Sequence, residues 1–236
     1  MHSPYTDHAR LTGRLYLGIA VLGAFSIAYV PSQIIVSGDA TATVTNLIQQ
    51  RGLYRLGIAA DVGVMILEIL VLSLLYTMFR PVSPTLSLAA AVARLSMVAV
   101  MSAMLFFHAG AGLLAEPGGT LTQFTAAQRA DLAALFLEMH LAGVWIWQVF
   151  FTLHLVLLGA LALRSGWVPR LLGWGLILGG AGYLLDSVYA YAFPEAGWLG
   201  ALRIGLLAIV TLSELGFALW LAARGPRVTP TILAKG

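Results

Sequence analysis

Six runs of about 20 apolar residues recur along this chain, and no other feature limits its possible folds as much. Each is long enough to cross a hydrocarbon core roughly 30 Å thick. The composition agrees: 60% of the residues are hydrophobic and 10% charged, with a mean hydropathy of +0.90. A soluble domain carries about a quarter charged residues, so this chain has too little polar surface to cover itself in water. It reads as an all-α integral membrane protein, a single domain of six transmembrane helices. The spans fall at about residues 11–36, 56–79, 86–114, 133–163, 171–192 and 199–222. Arg10 and Arg14 precede the first run as they would in a signal peptide. That run is long and no small-x-small cleavage site follows it, so it is expected to be a retained span.

Between the spans, Ser37-Gly38-Asp39 breaks the first helix, and Ala40 to Arg55 is amphipathic. A short interfacial helix is expected there. Arg80-Pro81-Val82-Ser83-Pro84 and Arg164 to Arg170 are tight turns, and Pro117-Gly118-Gly119 opens a polar loop. A helix starting at Thr125 and ending near Leu163 would be about 58 Å long, so its first turns overshoot the core. The positive residues set orientation. With the N-terminus inside, Arg10, Arg14, Arg80, Arg164, Arg170, Arg224, Arg227 and Lys235 face the cytoplasm; Arg51, Arg55, Arg129 and Arg203 face out. Both termini are expected to be cytoplasmic. A weak internal echo links Gln50-Arg51, a span, Arg80 and a Pro turn with Gln128-Arg129, a span, Arg164 and Pro169.

The pI of about 9.4 reflects these flanking arginines and gives no reason to expect a nucleic-acid partner; the expected partner is the lipid bilayer. The chain has no cysteine, which excludes disulfides, thiolate metal sites and cysteine-ligated iron–sulfur clusters. Function must be sought in the ionisable residues inside the spans, because such groups are costly in hydrocarbon and face an interior or a cavity. At about 100° per residue, Asp61 and Glu68 share a face, as do Arg94 and His108, His140 and His154, and Arg203 and Glu214. By depth, Asp61, His108, His140, Asp186 and Arg203 fall in an outer layer roughly 8–13 Å from the midplane. Glu68 is near the centre. Arg94, His154 and Glu214 lie inward, where Arg94 has Glu68 or Glu214 for a partner.

These groups admit several chemistries. His108 and His140 with a carboxylate from Asp61 or Asp186 would suffice for Zn²⁺. The same two histidines could ligate a b-type haem between the third and fourth spans. Alternatively, His140, Asp186, Arg203, Asp61, Glu214 and Arg94 would bind a small solute or ion, or relay protons, in a pocket toward the outer leaflet. The plain alternative is a scaffold in which Arg94 and its acid, and His154 on a backbone carbonyl, only set helix packing. Trp145 and Trp147 read as packing residues, and Trp167 and Trp198 as interfacial anchors. No HExxH motif, phosphate loop or nucleophile elbow is present, so the sequence singles out no enzyme class and no cofactor.

Several stretches carry a resemblance: Val30-Pro31-Ser32 through Ser37-Gly38-Asp39-Ala40, Tyr54 to Ile58, Phe136 to His140, and Arg164 to Gly173. Ala181 to Ser187 and Ser213-Glu214-Leu215 add to it. Together they resemble a family of bacterial multi-pass membrane proteins known as domain of unknown function 4386. The resemblance is collinear over nearly the whole chain. It implies one six-helix domain in a bacterial inner membrane and no particular activity. Asp39, Arg55, His140, Asp186 and Glu214 match its polar positions; Asp61, His108 and His154 do not.

Overall fold

In lipid every backbone N–H and C=O must find a partner within the chain, which leaves helices as the way for isolated apolar runs to cross. The computed structural model describes residues 4–116 and 121–225. The expected loop at Pro117-Gly118-Gly119, and Arg227 and Lys235 of the tail, lie outside the described residues. The elements are α1 (Pro4–Gly23), a π-helical turn (Ala24–Tyr29), α2 (Val30–Ile34), α3 (Ala40–Gln49), α4 (Arg51–Phe79), α5 (Pro84–Ala115), α6 (Ala126–Ser165), α7 (Arg170–Ala192) and α8 (Gly197–Ala223). Among the described residues no strand occurs, and six helical segments are long and apolar enough to cross a membrane. The first of these, Asp7–Ile34, runs through α1, the π turn and α2. The chain is an all-α multi-pass membrane protein.

Two bounds differ from the sequence reading. The interfacial helix stops at Gln49, because Gln50 leaves helical geometry at φ −107° and ψ 31°. Arg51 to Arg55 therefore form the first turn of α4, where Tyr54 is buried and its hydroxyl donates to the His108 carbonyl at 2.7 Å. The fourth span is a continuous helix of 40 residues, about 60 Å at 1.5 Å per residue. It ends at Ser165 because Gly166 takes φ 71°, a left-handed conformation that costs glycine little.

The chain divides into two compact units. The first comprises Met1–Gly18, Leu67–Val98 and Trp145–Gly236; the second comprises Ile19–Ile66 and Ala99–Val144. The boundaries fall inside α1, α4, α5 and α6.

Close backbone approach holds the first unit together. Lipid gives helices no hydrophobic reason to associate, so contacts rely on small residues and van der Waals packing. Gly175, Gly179 and Gly182 of α7 lie directly against Ser213, Val210 and Leu206 of α8, and Gly13 of α1 lies against the backbone of Ala218 and Ala222. Trp167, expected as an interfacial anchor, stacks on Phe79 at 4.9 Å and on Trp220 at 6.0 Å.

In the second unit, Val30, Ile34, Leu47, Tyr54, Ala111, Ala115, Ala133 and Leu137 form the buried cluster. Leu47 belongs to α3, which folds back to satisfy the end of α2. A helix C-terminus leaves its last carbonyls without donors. Asn46 donates to the Ile34 carbonyl at 3.3 Å and Gln50 to the Gln33 carbonyl at 2.9 Å. Thr43 accepts from the Val36 N–H and donates to its carbonyl. Asp39 caps α3 by accepting from the Ala42 N–H at 2.8 Å.

A methyl group at Gly13 or Gly179 would meet backbone, which cannot move aside. Gly13→Ala and Gly179→Ala are expected to lower thermal stability in detergent by about 1–3 kcal/mol. Gly205→Ala, where no atom lies within 4 Å, should be neutral or stabilising.

Candidate functional site

Arg94 of α5 has no exposed surface. Its Nε donates to Glu68 of α4 in a buried ion pair. Its Nη1 reaches the Tyr16 hydroxyl at 3.1 Å and His154 Nε2 at 2.9 Å. The guanidinium also lies 4.7 Å from the Tyr16 ring centre and 5.5 Å from that of Phe151. His154 Nδ1 sits 2.9 Å from the Ala90 carbonyl. A carbonyl only accepts, so Nδ1 carries the hydrogen and Nε2 offers its lone pair to Arg94; this assigns a neutral imidazole. Tyr16 donates onward to Glu214 Oε1 at 2.9 Å, and Tyr183 approaches Oε2 at 3.5 Å.

The first unit thus holds a connected network of one cation and two carboxylates. Arg94 pairs directly with Glu68 and reaches Glu214 only through Tyr16. Among the described residues no arginine, lysine or histidine pairs with Glu214 within 4.0 Å. Arg94 Nη2 is buried and has no protein acceptor. Beside the network, a cavity lined by Tyr76, Phe79, Ser87, Ala90 and His154 has room for about one water molecule.

Asp186 and Arg203 form a second group in the same unit. Arg203 pairs with Asp186 and lies 4.2 Å over the Tyr189 ring. Gln148 donates to the other Asp186 oxygen at 3.0 Å, and Ser187 donates to Gln148 and to the Trp145 carbonyl. The Asp186 carboxylate is committed on both oxygens. Arg203 Nε is buried without an acceptor.

The second unit holds Asp61, His108 and His140. The two imidazoles stack face to face, with centroids 3.5 Å apart and planes 10° from parallel. His140 Nδ1 is 3.1 Å from the Met104 carbonyl. Asp61 is 8% exposed and lines a cavity with Ser26, Val30, Tyr54, Gly57 and His108.

This geometry does not fit the haem and metal readings of His108 and His140. Nitrogen lone pairs lie in the ring plane, so two axial ligands of one iron hold their ring centres about 6 Å apart, on opposite sides of the metal. Rings stacked at 3.5 Å do not have that separation. Among the described residues no three His, Asp or Glu side chains gather closely enough to hold a metal ion.

The residues singled out from sequence were the charged ones; the uncharged groups beside them, Tyr16, Tyr183, Gln148, Ser187, Ser26 and Tyr54, were not. Tyr54, Tyr183 and Ser187 lie in stretches that carry the family resemblance, and Gln148 is a lone polar residue in a tryptophan- and phenylalanine-rich run. Tyr16 stands 198 residues from Glu214, beyond any local spacing.

Arg94→Met should destabilise the protein by about 3–5 kcal/mol, because it strands Glu68 as a buried charge. Adding Glu68→Met should restore much of that loss in thermal unfolding. A purified sample should show no Soret band; a band lost in His140→Ala would overturn the ring-geometry argument.

A protein of Archaeoglobus fulgidus described as uncharacterised is 26% identical over 170 residues, covering 72% of this chain and 83% of its own length. No solved structure matches the chain. The sequence pattern of a family described as a domain of unknown function, DUF4386, matches residues 11–225. Spanning all six apolar helices, that match makes the chain a member of the DUF4386 family.

Proposed function

We propose that this protein binds and transports a small ion, the proton foremost, with Glu214 as the proton-carrying group of the first unit. The charge inventory of the network carries this reading. Arg94 balances Glu68, His154 is neutral, and among the described residues Glu214 has hydroxyl partners and no paired cation inside a membrane span. An ionised carboxylate without a counter-ion is costly there, whereas one that gains and loses a proton is the usual element of a relay. Tyr16, which accepts from Arg94 and donates to Glu214, couples the two. The two cavities described above each have room for about one water, the scale of a small ion. The Asp186–Arg203 pair, with one guanidinium N–H free, belongs to the same polar route.

In this reading the protein sits in the cell's inner (plasma) membrane with both termini in the cytoplasm, so the polar route faces the outer leaflet at Asp186 and Arg203. The excess of arginines beside the ends at residues 80, 164, 170 and 224 supports that orientation. The chain lacks cysteine, so single-cysteine variants test it directly. A membrane-impermeant maleimide should label Thr122→Cys in intact cells and Thr85→Cys only after lysis; the reverse pattern would invert the topology.

For the activity itself, purified protein in vesicles with a trapped pH dye is expected to carry protons under an imposed potential. Glu214→Gln should fall to the leak of empty vesicles, with Glu138→Gln, an exposed position, unchanged. Absence of flux in the native protein, or full flux in Glu214→Gln, would reject the proposal.

A further inference from the structure

The cavity of the second unit contains a buried acid that the proton reading does not use. Asp61 is 8% exposed, and among the described residues no lysine, arginine or histidine pairs with it. Ser26, whose hydroxyl donates to the Gly23 carbonyl at 3.5 Å, lines the same cavity as Asp61, with room for about one water molecule. Tyr54 lines the same cavity. Its hydroxyl donates to the His108 carbonyl at 2.7 Å, which leaves its oxygen lone pairs available.

The backbone adds a further oxygen. Through the π turn the hydrogen bonds reach back five residues, ending with the Val30 N–H on the Phe25 carbonyl. The next carbonyl in that register is Ser26's, and its donor would be residue 31. Residue 31 is proline and has no N–H. In that register Pro31 supplies no donor to the carbonyl of Ser26, a residue of the cavity wall. Backbone of this kind is tolerated at membrane depth where it lines a cavity, and interrupted helices use freed carbonyls to hold small cations.

We propose that the second unit carries a binding site for one dehydrated monovalent cation of sodium size, made by the Asp61 carboxylate, the hydroxyl and carbonyl of Ser26, and the Tyr54 hydroxyl. All the donors are oxygens, which suits a hard cation. The single carboxylate balances one positive charge, so a monovalent ion leaves the cavity neutral where a divalent one would not. The site goes beyond the proton reading at Glu214 and shares no residue with it. The titratable groups around Asp61 are His108 and His140, whose stacked rings flank the same cluster, and Tyr54; a proton on Asp61 competes with the metal for the same oxygens.

The test is thermal unfolding of the purified full chain in detergent, in sodium chloride against choline chloride at equal ionic strength. Sodium is expected to raise the midpoint saturably by a few degrees, with weaker apparent affinity as the pH falls. Asp61→Asn should lose the sodium-specific shift, Ser26→Ala should weaken it, and Glu214→Gln should keep it. Pro31→Ala, which supplies the missing N–H and leaves the carboxylate intact, should also weaken it and serves if Asp61→Asn does not fold. Equal midpoints in sodium, lithium, potassium and choline would overturn the proposal. So would a sodium shift retained in Asp61→Asn, or a pH response at Asp61 with no alkali-cation dependence, which would make it a proton site only.

Discussion

A guanidinium with no exposed surface inside apolar helices organises the first unit. Arg94 cannot shed its charge, and a lone cation in such surroundings costs several kcal/mol even after relaxation. The surrounding helices therefore bring it Glu68, Tyr16 and His154, with aromatic faces from Tyr16 and Phe151 behind the charge. Each partner is then fixed by its own duty. His154 must be neutral to accept from Arg94, and Tyr16 must turn its hydrogen toward Glu214. The ion pair that builds the unit also defines a carboxylate with no cation of its own, so stability and proposed chemistry share one network.

The second unit solves a different problem. Pro31 interrupts the hydrogen-bond ladder of the first span, and the preceding turn widens to a π-helix that carries the break. Side chains from α3 and Gln50 then close the exposed carbonyls at the end of α2. Irregular backbone concentrates where Ser26 and Asp61 line a cavity. The glycines of α7 serve a separate end, permitting backbone approach that dispersion alone must hold. Buried polar groups gather at the cavity wall of the second unit, while the close helix contacts of the first rest on glycine.

Much of the architecture was legible in the residues. Six apolar runs, no cysteine and the turn at Gly166 define an all-helical membrane protein, because length and hydropathy act locally and additively. Facial spacing set Glu68, Arg94 and Arg203 on polar stripes within the spans, and depth alone marked Asp186. Depth counting, in contrast, gathered Asp61, His108, His140, Asp186 and Arg203 into one layer. The structure distributes these residues between the two units, pairing Asp186 with Arg203 in the first and stacking His108 on His140 in the second.

The difference has a physical cause. Depth along a helix is a one-dimensional quantity that sequence fixes at 1.5 Å per residue. Which helices adjoin, and how each side chain turns, depends on packing between residues such as Gly13 and Ala222 or Tyr16 and Glu214 that no local pattern relates. The sequence by itself determined the helices, their polar stripes and the family. Only the tertiary structure decided that Glu68 rather than Glu214 takes Arg94, that His108 stacks on His140, and that Asp61 lines a cavity with no lysine, arginine or histidine paired to it among the described residues.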